Sequence, residues 1–196
     1  DEVLRRLAAE RQILAKLDHP NITRLLDAGT TQDGLPYFIM DYVEGIPITE
    51  LAHKQNVALA DRLHLFLKVC FALEFAHRNG VIHRDIKATN ILVKSNGEPK
   101  LLDFGIAKML GSPDDDVTRP FERRITPRYA APELSRSEPV TSAADVYSLG
   151  LVLFELITDE NVPGETGAKT VFQTKLRDSV DPALAAIIRR ATKNDP

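Results

Sequence analysis

The sequence is short of several features that would have directed its reading elsewhere. Its 196 residues contain one cysteine, Cys70, set among apolar helical positions beside Leu67 and Phe71. It reads as a small buried hydrophobe in a reducing compartment, and no Cys/His spacing marks a zinc site. There is no Gly-x-x-x-x-Gly-Lys, which excludes a P-loop ATPase, and no Gly-x-Ser-x-Gly elbow for a serine nucleophile. The longest apolar run, Leu149 to Phe154, is broken by Glu155 and is far too short to span a bilayer. The chain opens on a charged helical pattern rather than a secretory signal. The segment therefore reads as cytoplasmic, without membrane contact of its own, whatever anchors a longer parent. A net charge of −3 with both signs interspersed offers no basic face for nucleic acid.

What is present is ordinary globular material: 43% hydrophobic and 27% charged residues, with no internal repeat and no dividing linker. Residues 2–17 form an amphipathic helical pattern through Leu7, Leu14 and Leu17, stopped by Asp18-His19-Pro20-Asn21. Glu10 shares that apolar stripe, so it is either paired inward or sits at the stripe's wet edge. Strand-like runs follow at Ile22 to Gly29 and Pro36 to Val43, joined through Thr31-Gln32-Asp33-Gly34 as a hairpin. Ala60 to Arg78 predicts a long, largely buried helix ended by Asn79-Gly80. Short strands are expected at Ile91 to Val93 and Lys100 to Leu102. Ser142 to Thr158 is apolar almost all round and should cross the core, with Asp145 accepting from amides near the helix start. Residues 159–180 carry little pattern, and Asp181-Pro182 opens a last helix, Ala183 to Thr192.

The most informative stretch is His83-Arg84-Asp85-Ile86-Lys87-Ala88-Thr89-Asn90, with Asp103-Phe104-Gly105 thirteen residues beyond Asn90. Phosphoryl transfer from a magnesium nucleotide needs a proton-accepting carboxylate, metal-binding oxygens and a cation on the phosphate. Asp85, Asn90 with Asp103, and Lys87 supply that set. Asp-Phe-Gly alone would be a weak signal; the two motifs together are a strong one.

With Glu10-Arg11-Gln12-Ile13-Leu14, His19-Pro20-Asn21-Ile22, Met40-Asp41-Tyr42-Val43, Thr126-Pro127-Arg128-Tyr129-Ala130-Ala131-Pro132-Glu133 and Asp145-Val146-Tyr147-Ser148-Leu149-Gly150 added, the chain resembles the Hanks-type (eukaryotic-like) protein kinases, the bacterial serine/threonine ones in particular. The resemblance covers essentially its whole length. It implies an α+β, bilobal kinase-like fold, with 1–43 the remainder of the N-lobe and hinge and 44–196 an incomplete C-lobe of a single partial domain. It implies Asp85 as catalytic base, Lys87 on the γ-phosphate, and Asn90 and Asp103 as ligands of Mg2+ (or Mn2+). Met40 matches the gatekeeper, the backbone of Asp41 and Val43 would hold adenine, and Leu92 would lie beneath its ring. Glu10 matches the glutamate that pairs with the nucleotide-binding lysine. Asp145 matches the buried aspartate bracing the catalytic loop, while His83 has a structural role in the family. Partners implied are ATP and Ser/Thr-bearing proteins, with a kinase-domain dimer for autophosphorylation.

Departures from the pattern matter as much. The family's glycine-rich loop and strand lysine are not in this sequence, and the arginine that would pair with Glu133 is not either. Losing one member of a buried pair costs about 3–5 kcal/mol, so the expectation is a piece of a longer chain that is poorly active alone. Glu122 stands four residues before Thr126, where relatives carry a regulatory phosphothreonine, and Arg84 and Lys108 match the residues that receive that phosphate. Glu122 is either a built-in acidic partner for that pocket or a solvated side chain beside Arg123 and Arg124. Thr118 is the nearest alternative phosphosite, and Thr126 matches the contact to the substrate hydroxyl region. Two competing functions are a pseudokinase scaffold, distinguished by its upstream sequence, and an aminoglycoside-phosphotransferase-type enzyme. Thr126-Pro127 and Ala131-Pro132-Glu133 argue against the latter because they belong to a peptide-binding segment.

Overall fold

The apolar run predicted to cross the core does so. In the computed structural model, which describes residues 14, 17–32, 36–104, 127–135, 140–162 and 168–193, it forms a 17-residue helix over Ser142–Thr158 whose stretch 148–156 is buried without a break. Thr141 caps it, its hydroxyl accepting from the Ala143 amide at 3.2 Å. Asp159 ends it in a left-handed conformation, φ 56°. In chain order the elements are β1 (Leu25–Thr30), β2 (Pro36–Met40), β3 (Ile46–Pro47), α1 (Ile48–Lys54), α2 (Leu59–Arg78), β4 (Ile91–Val93), β5 (Pro99–Leu101), α3 (Pro132–Ser135), α4 (Ser142–Thr158), α5 (Ala168–Asp178) and α6 (Pro182–Ala191). Single 3-10 turns lie at Ala88–Asn90 and Pro127–Tyr129. The architecture is the α+β mixture expected.

Two small antiparallel sheets carry the strands, one of β1 and β2 and one ordered β3-β4-β5. The hairpin begins later than the hydrophobic run suggested. Ile22 makes only a bridge to Leu101, and β1 opens at Leu25 with a register irregularity before Asp27. That bridge is useful: Thr23 N donates to Leu101 O, Leu101 N to Asn21 O, and the Asn21 side chain to Pro99 O at 2.8 Å. The turn after Pro20 is thereby stitched to β5. The His19 ring also stacks on Phe75 of α2, centroids 5.3 Å apart.

Helix α2 spans 20 residues and ends at Asn79 and Gly80, the latter at φ 75°, where a side chain would be strained. It is less buried than its composition implied. Phe66, Val69, Ala72, Leu73 and Ala76 face the core, but Leu67 and Phe71 are 50% and 60% exposed. Cys70 is half-buried rather than buried, and its thiol is pushed up to about 11 by loss of solvent. Since the thiolate is the reactive form, alkylation of Cys70 by iodoacetamide at pH 7.5 is expected to be slower than that of a free thiol. Mass spectrometry of the timed reaction checks this.

Arg62, in the first turn of α2, is a core contact the sequence concealed. Only 6% exposed, it donates to the carbonyls of Ala52, Val57 and Leu156 and pairs in bidentate fashion with Asp159 at 2.7 and 3.1 Å. It thus ties α1, α2 and the end of α4 together. Helix α6, capped by Asp181, crosses α4 at Gly150, where a Cβ would meet Ala191 Cβ at 2.8 Å. Helix α5 occupies a region read as nearly patternless; Phe172 and Leu176 bury its one apolar edge, with Phe172 against Phe154. Among the described residues no helix is long and apolar enough to cross a membrane.

Candidate active site

Between the end of α2 and β4 the chain runs through His83 to Asn90 as a loop closed by the 3-10 turn at Ala88–Asn90. A loop without a repeating hydrogen-bond pattern needs outside partners for its amides. Here they come from Asp145 on α4. Its Oδ1 accepts from the Arg84 amide and its Oδ2 from the His83 amide, both at 2.8 Å, and Oδ2 also meets His77 Nε2 at 2.7 Å. Asp145 is 1% exposed. The local reading gave this side chain to its own helix start; the structure gives it to a loop 61–62 residues earlier. Arg84 sits at φ 66°, a costly conformation for a non-glycine residue that the paired amides help to hold.

His83 is wholly buried and packs on Phe104, with ring centroids 4.7 Å apart. Its Nε2–H donates to Leu102 O at 2.7 Å while Nδ1 accepts from the Asp85 amide at 3.2 Å. Those partners define the neutral tautomer. Burial holds its pKa below the usual histidine value, although Asp145, the Leu102 carbonyl, Asp85 and Asp103 pull the other way. The sign follows: the unfolded state binds the extra proton, so this contribution is complete above about pH 6.5 and is lost as pH falls. The urea midpoint of the wild type should therefore drop between pH 7 and 5 more than that of His83→Gln, with a slope of at most about 1.4 kcal/mol per pH unit. Equal slopes would contradict this role.

The loop presents three polar side chains together. Lys87 Nζ donates to Asp85 Oδ2 at 2.8 Å, with the two side chains 24% and 19% exposed. Asn90 Nδ2 donates to the Asp85 carbonyl at 2.9 Å and to Asp85 Oδ2 at 3.2 Å. Its amide nitrogen is thus committed, and its oxygen is the end left for a ligand. Asp103 lies on the adjoining segment, because Leu102 N donates to Asn90 O at 2.8 Å, and it is exposed at φ 43°. Among the described residues no group of three or more His, Cys, Asp or Glu side chains gathers to bind a metal. Two hard oxygen donors suit a magnesium ion that takes its other ligands from phosphates and water.

The other expected nucleotide contacts lie on β2, on β4 and in the stretch between β2 and β3. Met40 ends β2, and the Asp41 amide is already given to Arg24 O at 3.1 Å, which leaves the Asp41 carbonyl for a ligand. Val43 follows in the irregular stretch before β3. Leu92 is the less buried middle residue of β4, between Ile91 and Val93, which face the core. Glu10, Lys108, Thr118, Glu122 and Thr126 lie outside the described residues. Sequence reasoning missed His77 as a partner of Asp145, and missed the buried Glu155, which accepts from the Tyr129 hydroxyl at 2.5 Å; each pairs with a residue far along the chain, so no local spacing signals it.

Comparison with known proteins points to one family. The family model described as "Protein kinase domain" matches residues 1–195. The chain is 34% identical over 205 residues to serine/threonine-protein kinase PknB of Mycolicibacterium smegmatis, covering 97% of this chain and 33% of that protein. It is 33% identical over 205 residues to PknB of Mycobacterium tuberculosis (strain ATCC 25177 / H37Ra), with the same coverage. It is 35% identical over 208 residues to serine/threonine-protein kinase PrkC of Bacillus subtilis, covering the whole of this chain and 32% of that protein. The chain spans about a third of the length of these curated relatives.

Proposed function

The chain belongs to the protein kinase domain family, and from that premise we propose that it transfers the γ-phosphoryl group of ATP to serine or threonine hydroxyls of proteins. The observation that carries the reading is the convergence of Lys87 and Asn90 on Asp85, in a loop braced from the core by Asp145. Asp85 accepts the proton of the attacking hydroxyl. Lys87, held beside it, steadies the γ-phosphate and lies two positions after that aspartate, as in serine/threonine rather than tyrosine kinases. Asn90 and Asp103 would hold Mg2+ (or Mn2+), which when bound supplies positive charge against the phosphate oxygens. Met40, the Asp41 and Val43 backbone and Leu92 would seat the adenine. His83, packed on Phe104, accepts from the Asp85 amide and so helps to fix the backbone on which Asp85 stands.

We extend the reading to autophosphorylation between two copies of the chain, on the cytoplasmic side of any membrane that a longer parent enters. The test is incubation of the full-length protein with Mg-ATP, followed by phosphosite mapping. Phosphate on serine or threonine, abolished by EDTA, is expected. Nucleotide binding without any phosphate transferred would overturn the enzyme reading in favour of a scaffold.

A further inference from the structure

The chemistry above leaves Arg62 without a role, although it is buried in the first turn of α2. A guanidinium carries five N–H donors, and here each one has an acceptor. Nε donates to Val57 O at 2.7 Å, and Nη1 donates to Leu156 O and to Asp159 Oδ1, both at 2.7 Å. Nη2 donates to Ala52 O at 3.2 Å and to Asp159 Oδ2 at 3.1 Å. Taking a cation out of water is costly unless it is paired, and packing alone would be as well served by an apolar side chain. What the fork holds is α1, through Ala52 in its last turn, and the connection to α2, through Val57. Helix α1 needs such an anchor. It has seven residues, and Pro47 before it offers no side-chain cap. A helix so short does not hold its place alone. Its place matters because it runs straight on from β3, which pairs Pro47 with Leu92 and Ile46 with Val93. It packs on β4 and on the 3-10 turn Ala88–Asn90, with Ile48 and Ala52 wholly buried. A Cβ on Gly45, just before β3, would lie 2.8 Å from Val93 O and 3.2 Å from Leu92 Cβ, so the chain runs close against β4 with no slack.

We propose that Arg62, clamped by Asp159, is a positioning residue for the nucleotide: it seats α1 against β4 and the Ala88–Asn90 turn, and so sets Leu92 under the adenine and Asn90 at the metal. This rests on the protein kinase reading above and deepens it. Arg62 itself touches no nucleotide in this scheme. Lysine cannot replace it, because an ammonium has three donors on one atom and no planar fork. Loss of the fork should therefore loosen nucleotide binding, while KM for the acceptor, whose contacts are assigned to residues 126–133, holds.

The experiment uses the full-length protein and reads binding of Mg-ADP by calorimetry, with transfer from Mg-ATP to myelin basic protein as the second readout. Arg62→Lys is expected to weaken Mg-ADP binding about five-fold or more, since a remote displacement of about 1 Å can cost 10²-fold. KM for the acceptor should stay within about two-fold of wild type. Asp159→Asn keeps the three carbonyl bonds, and asparagine tolerates the left-handed backbone at φ 56°, so this variant should fold and lose about two- to three-fold in Mg-ADP affinity. It carries the test if Arg62→Lys does not fold. Leu176→Ala, at a fully buried position on α5, should lower the urea midpoint by leaving a cavity and yet bind Mg-ADP as the wild type does. Wild-type binding by the folded Arg62→Lys and Asp159→Asn proteins, or equal weakening by Leu176→Ala, would overturn the proposal while leaving the kinase reading intact. A wild-type protein that binds no Mg-ADP would overturn both.

Discussion

Replacing Asp145 with alanine in the full-length protein is expected to cost about 3–5 kcal/mol of stability and to remove phosphoryl transfer even at temperatures where the protein remains folded. The magnitude follows from what the side chain satisfies. The buried amide of His83, the part-buried amide of Arg84 and the His77 ring all meet the same carboxyl group. Each buried amide left without a partner costs about 1–3 kcal/mol. The loop that loses those anchors carries Asp85, Lys87 and Asn90, and Arg84 is held at a positive φ that it would not choose unaided. Stability and catalysis should therefore fall together. Asp145→Asn is the informative control, because its amide nitrogen would face a donor at one of the two positions while its oxygen serves the other. An intermediate urea midpoint is expected for it. If Asp145→Ala unfolds at the wild-type midpoint, the bracing role assigned to this residue is wrong.

Asp85→Asn in the same protein should behave in the opposite way, with stability kept and turnover lost. Asparagine preserves the volume and an acceptor for Lys87 and Asn90, so the loop's hydrogen bonds at Asp85 Oδ2 have a replacement. What disappears is the carboxylate proposed to take the hydroxyl proton. Loss of one such preorganised group costs about 10²–10³-fold in kcat. Because the adenine contacts assigned to Met40, Asp41, Val43 and Leu92 lie elsewhere, the affinity for ATP should change little. A drop in kcat with KM for ATP held is the signature of an interaction made in the transition state rather than in the ground state. Near-normal turnover by Asp85→Asn would remove Asp85 from the mechanism.

The parts of this fold that could be read in the sequence were those whose signal is local. Helix α4 has the predicted bounds because its apolar residues leave no polar face to misplace. Helix α2 differs by one residue at its start, since Asn79 and Gly80 give an unambiguous stop. Leu67 and Phe71 were misjudged because composition cannot tell which side of a mixed helix meets the core. Helix α5 escaped notice because Lys169, Thr170, Gln173, Lys175 and Arg177 dilute its short apolar edge. Two-residue β3 carries no periodicity at all. The site divides along the same line. Asp85, Lys87, Asn90 and Asp103 were picked out as candidates by their spacing, and the structure brings the first three into contact.

Their supports were not found that way. Asp145 meets His83 across 62 residues, Arg62 meets Asp159 across 97, and Tyr129 meets Glu155 across 26. Such pairs depend on how helices cross, which a single sequence does not display. Asp145 was placed correctly only through the family resemblance, while the residue-level reading gave it the wrong amides. Arg62 and Glu155 would have been read as solvent-facing charges by their type alone.

The most direct measurement is a single-turnover transfer of label from γ-labelled Mg-ATP, bound to the full-length protein, to a serine- and threonine-bearing acceptor protein. The account predicts label on acceptor serine or threonine from the wild type, and transfer by Asp85→Asn slower by about 10²-fold or more at equal nucleotide occupancy. Saturated nucleotide binding with no label transferred, or equal rates from the two proteins, would contradict it.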